Sequence, residues 1–302
     1  MVSAFLFLIN TLLWALLLYP IIVLKILVPD PRARRLWNRI LVRGGEAWIA
    51  GNAWNLRVTQ NIRWREQIEA PLKTAGSYIV ICNHQSWIDI VVLQTLLNRK
   101  IPFLRFFLKF QLIYVPILGG VWWALDYPFM KRYSKEYLEK HPEARGQDLE
   151  TAQRALEKFR AGSFSILNFL EGTRFTPEKR LEQNSPFQRL LKPKAGGLAA
   201  VIQSLKNEPA VHLLDVTIAY PKGAVSFIEM CQGRLEEVDV RVRELPLPSW
   251  LYEGSYTQDE AFRERFQAWL FEIWGEKDHF LVRQLGSSPS GAAGHSRLQT
   301  RQ

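Results

Sequence analysis

The stretch Ser77-Tyr-Ile-Val-Ile-Cys-Asn-His-Gln-Ser-Trp-Ile-Asp89 decides the fold of this chain. Its first part, residues 77–82, is apolar and rich in β-branched residues and follows a glycine, which is typical of a buried strand. The apolar run 88–97 that comes next is long enough for a helix. The sequence therefore predicts a strand, then a turn that carries His84, then a helix whose first turn carries Asp89.

This spacing gives His84 and Asp89 two possible uses. On one helix the two side chains would point about 140° away from each other, so they can pair only if His84 lies in the turn. A paired Asp89 would fix the imidazole tautomer and leave the other ring nitrogen free to accept a proton, as a general base must. In a purely structural interpretation, Ser86 and Asp89 begin the helix as a capping-box-like pair and His84 is a loop residue. The spacing is a weak pattern, and it leaves both interpretations open.

Composition narrows the class of protein. The chain has 302 residues, of which 48% are hydrophobic, and no Gly/Pro/Ser-rich linker interrupts its middle, so we expect one domain with a large core. A formal net charge of +10 predicts an acidic partner, whether nucleic acid, an anionic membrane surface or a phosphorylated substrate. The two cysteines, Cys82 and Cys231, provide neither a disulfide framework nor a Cys-based zinc site, which favours a reducing compartment.

The N-terminal segment is the first membrane-like region. Residues 4–24 are almost unbroken apolar sequence, and about 20 such residues suffice to cross a bilayer core. The basic n-region and cleavage site of a secretory signal are missing. We predict a transmembrane anchor over residues 1–28, with a buried helix of a soluble protein as the alternative. By the positive-inside rule, the basic residues after it predict that the rest of the chain is cytoplasmic. Those residues are Lys25, Arg32, Arg34, Arg35, Arg39 and Arg43.

The remaining pattern predicts an α/β domain over residues 29–284, built around a largely parallel or mixed sheet. Residues 32–54 either lie along the lipid headgroups or pack on the core. Residues 101–130, which include charged side chains, form an interfacial helix or a hydrophobic groove, with a place in a soluble core as the alternative. Residues 285–302, rich in Gly, Ser and Arg, form a disordered tail. Further strands are predicted at 56–64, 164–170, 211–220, 225–231 and 238–242, and further helices at 148–160, 195–205 and 258–274.

Further motifs follow the His84–Asp89 pair along the chain. An aromatic-rich stretch from Gly119 ends in Arg132, Glu171-Gly-Thr-Arg174 comes directly after a predicted strand, and a later apolar strand ends in Pro221. Together these motifs resemble the PlsC-type glycerolipid acyltransferase family, closest to its lysocardiolipin and long-form lysophosphatidate branch and its bacterial YihG group. Each motif alone is weak, whereas His-x4-Asp followed by Glu-Gly-Thr-Arg at this separation is strong.

The resemblance implies a single acyltransferase domain with a mixed central sheet flanked by helices, attached to the bacterial inner membrane by the N-terminal helix. The implied reaction moves a fatty acyl group from acyl-CoA or acyl carrier protein to the free hydroxyl of a lysophospholipid. The expected acceptor is 1-acyl-glycerol-3-phosphate. The acceptor, the thioester donor and membrane lipids are the expected partners. No nucleic acid, metal or resident cofactor is expected.

The resemblance also implies roles for individual residues. His84 would act as the general base and Asp89 would orient it. The acceptor's phosphate would bind Arg174 through two parallel donors. The remaining residues of the predicted binding site are Glu171, which would anchor the loop or bind the glycerol, Gly172 and Thr173, which would support phosphate binding, and Lys131 and Arg132, which would form a second positive site.

Two alternatives compete with this interpretation. Cys82 lies just before His84 and is a possible nucleophile, although its place in an apolar strand favours an inert buried thiol. In the other alternative the chain is a membrane-anchored protein that binds anionic lipid or nucleic acid without catalysis. That alternative predicts that His84→Ala leaves function intact, while charge reversals near Arg34 abolish it.

Overall fold

A mixed sheet lies at the centre of the residues that the computed structural model describes, namely 1–28, 30–131, 157, 162–206, 208 and 210–286. Its strand order is β1-β8-β7-β2-β6-β3, and all neighbouring pairs in it are parallel except β7 and β8. The predicted fold class is therefore confirmed. The strands of this sheet are β1 (Arg63–Ile68), β2 (Ser77–Cys82), β3 (Leu104–Phe106), β6 (Phe164–Phe169), β7 (Val211–Ala219) and β8 (Glu237–Leu245), while β4 (Leu108–Lys109) and β5 (Phe129–Met130) form a separate parallel pair.

Helices cover both faces of the sheet. They are α1 (Val2–Leu27), α2 (Pro31–Thr59), α3 (Ile88–Leu97), α4 (Leu118–Ala124), α5 (Pro177–Glu182), α6 (Ala195–Ser204), α7 (Phe227–Cys231) and α8 (Glu260–Leu285), with 3-10 turns at Phe110–Tyr114 and Ser249–Tyr252. Strand β2 is buried along its whole length. Alternate side chains of β2 enter two separate hydrophobic clusters, one beneath α1 to α3 and the other beneath α6 and α8. A strand covered on both faces is continuously apolar, which is the pattern that residues 77–82 carry.

Helices α1 and α2 form a hairpin that packs through small residues and polar contacts. A Cβ on Gly44 would lie 2.5 Å from Leu18 Cδ2, so a larger residue there would require the Leu18 side chain to move. The Asn10 side-chain amide donates to the Trp48 carbonyl at 2.9 Å and to Asn52 Oδ1 at 2.8 Å. These contacts hold α1 against α2, which runs back alongside it.

The other face of α1 is apolar and exposed. Leu16 is 74% exposed and Phe5 is 60% exposed, although exposure of such apolar side chains to water is unfavourable. Within the described part of the chain, α1 alone is long and apolar enough to cross a membrane, and 22% of its most apolar window is buried. The crossing itself stays a prediction.

Two of the predicted strands are wrong, each because a different physical effect decides the local structure. Residues 56–59 continue helix α2 because Leu56 is buried there in the core, and β1 begins only at Arg63. Residues 227–231 form helix α7, because Ser226 and Glu229 make a complete capping box at its start. That signal was present in the sequence as Ser-x-x-Glu.

Of the alternatives predicted for residues 101–130, the interfacial helix is wrong, whereas part of the segment lines an apolar groove against α1 and α2 and part is buried in the core. The segment divides into short strands, a 3-10 turn and helix α4, and its side chains at Phe103 and Phe106 are buried in the core under α1 and α2. The predicted helix 148–160 lies outside the described residues except for Glu157, which is helical. The predicted tail 285–302 lies outside them from residue 287 onwards.

Helix α8 is joined to the sheet by a buried charged group. The Lys277 ammonium is fully buried, forms an ion pair with Asp215 on β7 (Nζ–Oδ1 2.5 Å) and donates to the Val216 carbonyl at 2.6 Å. Arg243 on β8 donates to the other Asp215 oxygen at 2.8 Å. Because a buried charge without a partner is strongly unfavourable, these contacts determine where α8 crosses the sheet.

Two glycines in helices provide a matched stability test. A Cβ on Gly119 would overlap the Ile113 carbonyl, whereas a Cβ on Gly275 would meet nothing within 4 Å. We expect Gly119→Ala to lower the free energy of unfolding by about 1 to 3 kcal/mol through steric strain. Gly275→Ala should raise it by about 0.5 to 1 kcal/mol through helix propensity. Thermal unfolding of both variants in one detergent measures the difference, and equal effects would contradict the described approach of α4 to the preceding turn.

Candidate active site

Most of the predicted site residues, namely His84, Asp89 and Glu171 to Arg174, lie where three parallel strands end side by side. His84 follows β2, the Glu171–Arg174 turn follows β6, and Tyr220 follows β7. The carboxyl ends of adjacent parallel strands are the usual place for a ligand site in an open α/β sheet. The sheet thus brings together segments that are far apart in the sequence.

Asn83 determines how the chain leaves β2. Its side-chain amide donates to the Ile218 carbonyl at 2.9 Å, and its Oδ1 accepts from the Ile218 N–H at 2.9 Å. The side chain thereby imitates a backbone pair and extends the contact between β2 and β7 beyond Cys82. His84 consequently begins the turn from a fixed position.

His84 and Asp89 form the pair that their spacing allowed. His84 Nδ1 lies 2.8 Å from Asp89 Oδ2. The Asp89 side chain is fully buried, and that of His84 is 16% exposed. His84 Nε2 makes no hydrogen bond within the described part of the chain. The ring stacks on Phe169, with centroids 4.1 Å apart and planes 17° apart, so its orientation is set from two sides.

The carboxylate of Asp89, in the first turn of helix α3, also binds the backbone of the turn that precedes the helix. Oδ2 accepts from the N–H groups of Gln85 at 2.7 Å and Ser86 at 2.9 Å, while Oδ1 accepts from the Tyr220 hydroxyl at 2.6 Å. Burial raises the pKa of Tyr220 well above its ordinary value, so the phenol keeps its proton and donates. One carboxylate therefore accepts hydrogen bonds from the backbone of the turn and also contacts the His84 imidazole, so the two interpretations of Asp89 do not exclude each other.

Glu171 anchors the two loops of the site. Its Oε1 accepts from the His84 N–H and its Oε2 from the Leu191 N–H, each at 3.0 Å, and the residue is fully buried. Burial raises the pKa of Glu171 to about 8, while the two backbone donors act in the opposite direction. Of the two roles predicted for Glu171, the structure shows the loop anchor.

The turn after Glu171 carries exposed cations beside His84. Gly172 has φ +70°, a left-handed conformation that glycine adopts readily. The Phe175 N–H donates to the His84 carbonyl at 2.7 Å, which ties this turn to the loop of His84. The exposed guanidinium of Arg174 lies over the Trp87 ring, 5.3 Å from its centroid. Arg174 therefore borders the same site as His84.

Three residues that the sequence analysis did not single out also form this site. Lys179 donates to Thr173 Oγ1 at 2.8 Å and to the Arg174 carbonyl at 3.1 Å. The ammonium of Lys194 lies against Gly172, where an added Cβ would be 3.1 Å from Nζ. Tyr220 is the third. Its position at the end of β7 was the available signal, because the ends of parallel strands converge.

The other predicted residues have different outcomes. Lys131 follows β5 in the separate two-stranded sheet and is exposed, and Arg132 lies outside the described residues. The Cys82 thiol is fully buried and burial raises its pKa, so it is a poor nucleophile, as predicted. Among the described residues, no three His, Cys, Asp or Glu side chains lie together as a metal site would require.

A family model described as Acyltransferase matches residues 61–220, which is more than half of the chain and includes every element of this site. The chain belongs to the PlsC-type acyltransferase family. The matched range runs from just before β1 to Tyr220, so it includes every strand of the central sheet except β8.

Curated members of this acyltransferase family resemble the chain at moderate identity. The human 1-acyl-sn-glycerol-3-phosphate acyltransferase delta is 26% identical over 215 residues, covering 67% of this chain and 51% of that protein. The mouse 1-acyl-sn-glycerol-3-phosphate acyltransferase gamma is 26% identical over 281 residues, covering 86% and 68%. The chain thus spans about half the length of the delta relatives.

A solved member of the acyltransferase family has a similar fold. The crystal structure of the 1-acyl-sn-glycerophosphate acyltransferase PlsC from Thermotoga maritima matches with a TM-score of 0.50 and 18% identity, covering 91% of this chain and 97% of that one. The similarity extends beyond the domain to nearly the whole chain.

Glu171→Gln tests the buried anchor. Its amide would direct an NH2 group at one of the two backbone N–H donors, so we expect the free energy of unfolding to fall by about 1 to 3 kcal/mol. The folded-state pKa, about 8, exceeds the ordinary value of 4.5, so the folded protein binds more protons between these values and wild-type stability declines as pH rises. The variant lacks this titration. The amount by which its free energy of unfolding falls below that of wild type should therefore shrink from pH 5 to pH 8.

Unfolding midpoints measured across this pH range check the prediction. Glu182→Gln, which removes an exposed carboxylate in the same region, is the control and should show neither effect. A deficit that is constant or grows with pH would contradict the assignment of the raised pKa to Glu171.

Proposed function

We propose that the protein is a membrane-bound O-acyltransferase that moves a fatty acyl group from an acyl thioester to the free hydroxyl of a lysophospholipid, with 1-acyl-glycerol-3-phosphate as acceptor. The observation that carries this proposal is the 2.8 Å contact between His84 Nδ1 and the buried Asp89 carboxylate, which leaves Nε2 directed away from that carboxylate on a partly exposed ring. The named relatives support the substrate class, since they are 1-acyl-sn-glycerol-3-phosphate acyltransferases.

The proposed chemistry needs one base and no covalent enzyme intermediate. His84 Nε2 takes the proton of the acceptor hydroxyl as its oxygen attacks the thioester carbonyl carbon, and the imidazolium is stabilised by Asp89. The tetrahedral intermediate collapses with cleavage of the C–S bond. The imidazolium then returns its proton to the departing thiolate, so the products are an ester and a free thiol. Acyl-CoA and acyl carrier protein both supply such a thioester.

The charges at the site favour a phosphorylated acceptor. The carboxylates of Asp89 and Glu171 are buried and used by donors of the protein, while Arg174 is exposed and Lys194 lies beside the same turn. The field that a substrate meets at the turn is therefore positive. Arg174 would place two parallel donors on the phosphate, and stacking over Trp87 keeps the guanidinium plane oriented.

We also propose that α1 and α2 attach the protein to the cytoplasmic face of a membrane, the bacterial inner membrane being the expected one. The exposed apolar side chains of α1 support attachment. Arg39 and Arg43 line the same groove as Leu17 and Ile21, which lie in the C-terminal half of α1, so an upright crossing by α1 would draw these arginines towards the hydrocarbon. An arginine at the centre of a bilayer costs about 2.5 to 3.5 kcal/mol, and less near its surface. A hairpin lying in the interface, with the exposed face of α1 inserted, avoids this penalty.

His84→Ala is the direct test of the proposed base. We expect acyl transfer from oleoyl-CoA to 1-oleoyl-glycerol-3-phosphate to fall by about 100- to 10,000-fold, while binding to vesicles and thermal stability change little. His212→Ala is the matched control, because His212 pairs with Glu244 at the opposite end of β7. An active His84→Ala protein would favour the alternative of a binding protein without catalysis.

Arg174→Lys tests the phosphate contact separately. The variant keeps the positive charge and loses the two parallel N–H donors of the guanidinium group. We therefore expect the KM for the phosphorylated acceptor to rise by an amount equivalent to about 1 to 3 kcal/mol, with the donor KM unchanged. Monoacylglycerol, which lacks the phosphate, serves as the control acceptor. An unchanged acceptor KM would show that Arg174 is not the phosphate-binding residue.

A further inference from the structure

A concave surface lies on the helical hairpin, away from the strand-end site. It is a groove of about 430 Å³ between α1 and α2, and it shares no residue with the site around His84. Its walls are apolar on the α1 side, and the α2 side adds a basic edge. The lining residues are Trp14, Leu17, Leu18 and Ile21 from α1 and Arg39, Ile40, Arg43 and Gly44 from α2.

The basic edge consists of two arginines one helical turn apart. Arg39 and Arg43 are both exposed, and side chains at this spacing have Cβ atoms about 5 to 6 Å apart. Arg39 makes no hydrogen bond or ion pair within the described ranges, and the one carboxylate near Arg43 is Glu46, at 4.0 Å. Two adjacent like charges repel each other unless an anion lies between them.

We propose that this groove binds one acidic phospholipid of the surrounding membrane. The phosphate diester lies between the Arg39 and Arg43 guanidinium groups, which suit its geometry, and an acyl chain lies along the apolar wall of α1. A headgroup that also carries an ammonium places a positive charge beside these arginines, so a lipid with an uncharged alcohol headgroup is preferred. Trp14 at the opposite end has the amphipathic ring that favours a membrane interface.

The proposal rests on the proposed membrane attachment and is independent of the chemistry at His84. Polybasic surfaces attract acidic membranes without any defined site, at about 1 kcal/mol per basic residue. A defined lipid-binding site differs from that diffuse attraction in two ways. Binding depends on the two groove arginines more than on other arginines of α2, and it depends on the open volume of the groove.

The test uses the full-length protein in neutral detergent micelles that contain dioleoyl phosphatidylglycerol or dioleoyl phosphatidylcholine at equal mole fraction. Lipid retained per protein is counted by native mass spectrometry, and the unfolding midpoint is recorded in parallel. We expect wild type to retain one phosphatidylglycerol and to be stabilised by it. The double variant Arg39→Gln/Arg43→Gln should retain it about tenfold more weakly or worse.

A matched control removes the same charge from the same helix. Arg34→Gln/Arg57→Gln changes two exposed arginines that do not line the groove, and it should retain the lipid like wild type. Leu17→Trp keeps every charge and fills the groove from its exposed α1 side, and it should reduce retention too. Equal loss in both double variants, or equal retention of the two lipids, would overturn the proposal. Unfolding midpoints in phosphatidylcholine micelles identify any variant that is misfolded.

His84→Ala separates this inference from the proposed function. The groove does not include the catalytic loop, so this variant should retain phosphatidylglycerol normally while acyl transfer is lost. Retention without any acyl transfer in wild type would refute the proposed function and leave the lipid site supported. Acyl transfer without selective retention would do the opposite.

Discussion

The buried carboxylate of Asp89 is the point on which the site depends. It accepts hydrogen bonds from the backbone of the turn, from the Tyr220 hydroxyl and from the His84 ring. In a low-dielectric interior such bonds are strong when all of them are made, and the carboxylate would be unfavourable without them. One group thus joins the loop after β2, the start of α3 and the end of β7. Moving any of these three elements would leave a buried charge unsatisfied.

A second buried carboxylate performs a parallel task for the backbone. Glu171 joins the N–H of His84 to the N–H of Leu191, while Asp89 orients the imidazole side chain. His84 is therefore held at its main chain by one acid and at its ring by another. The acids are buried and the cations of the neighbouring turn are exposed. That separation leaves the positive charge of Arg174 and Lys194 at the surface of a site whose acidic groups are buried.

The hairpin of α1 and α2 has an inner, packed face and an outer, exposed apolar face. Its two helices pack on each other through glycines and amide contacts, and the outer face of α1 leaves leucine and phenylalanine side chains uncovered. Arg39 and Arg43 of α2 line a groove together with side chains of α1. This arrangement suits a surface that enters one leaflet and keeps the guanidinium groups at the level of the headgroups.

Local patterns in the sequence determined the central strand, helix α3, most of the later strands and the motif residues of the site. A fully apolar run such as 77–82, or an acidic residue such as Asp89 at a helix start, favours its secondary structure through local interactions alone. The tertiary structure decided what depends on distant partners. Leu56 stays helical because it is buried in the core, Lys277 is tolerated in a core helix because Asp215 lies opposite, and Tyr220 joins the site because β7 runs parallel to β2. The sequence specified which groups are chemically capable, and the register of parallel strands determined which of them meet, since contacts across a sheet connect residues that no local spacing relates.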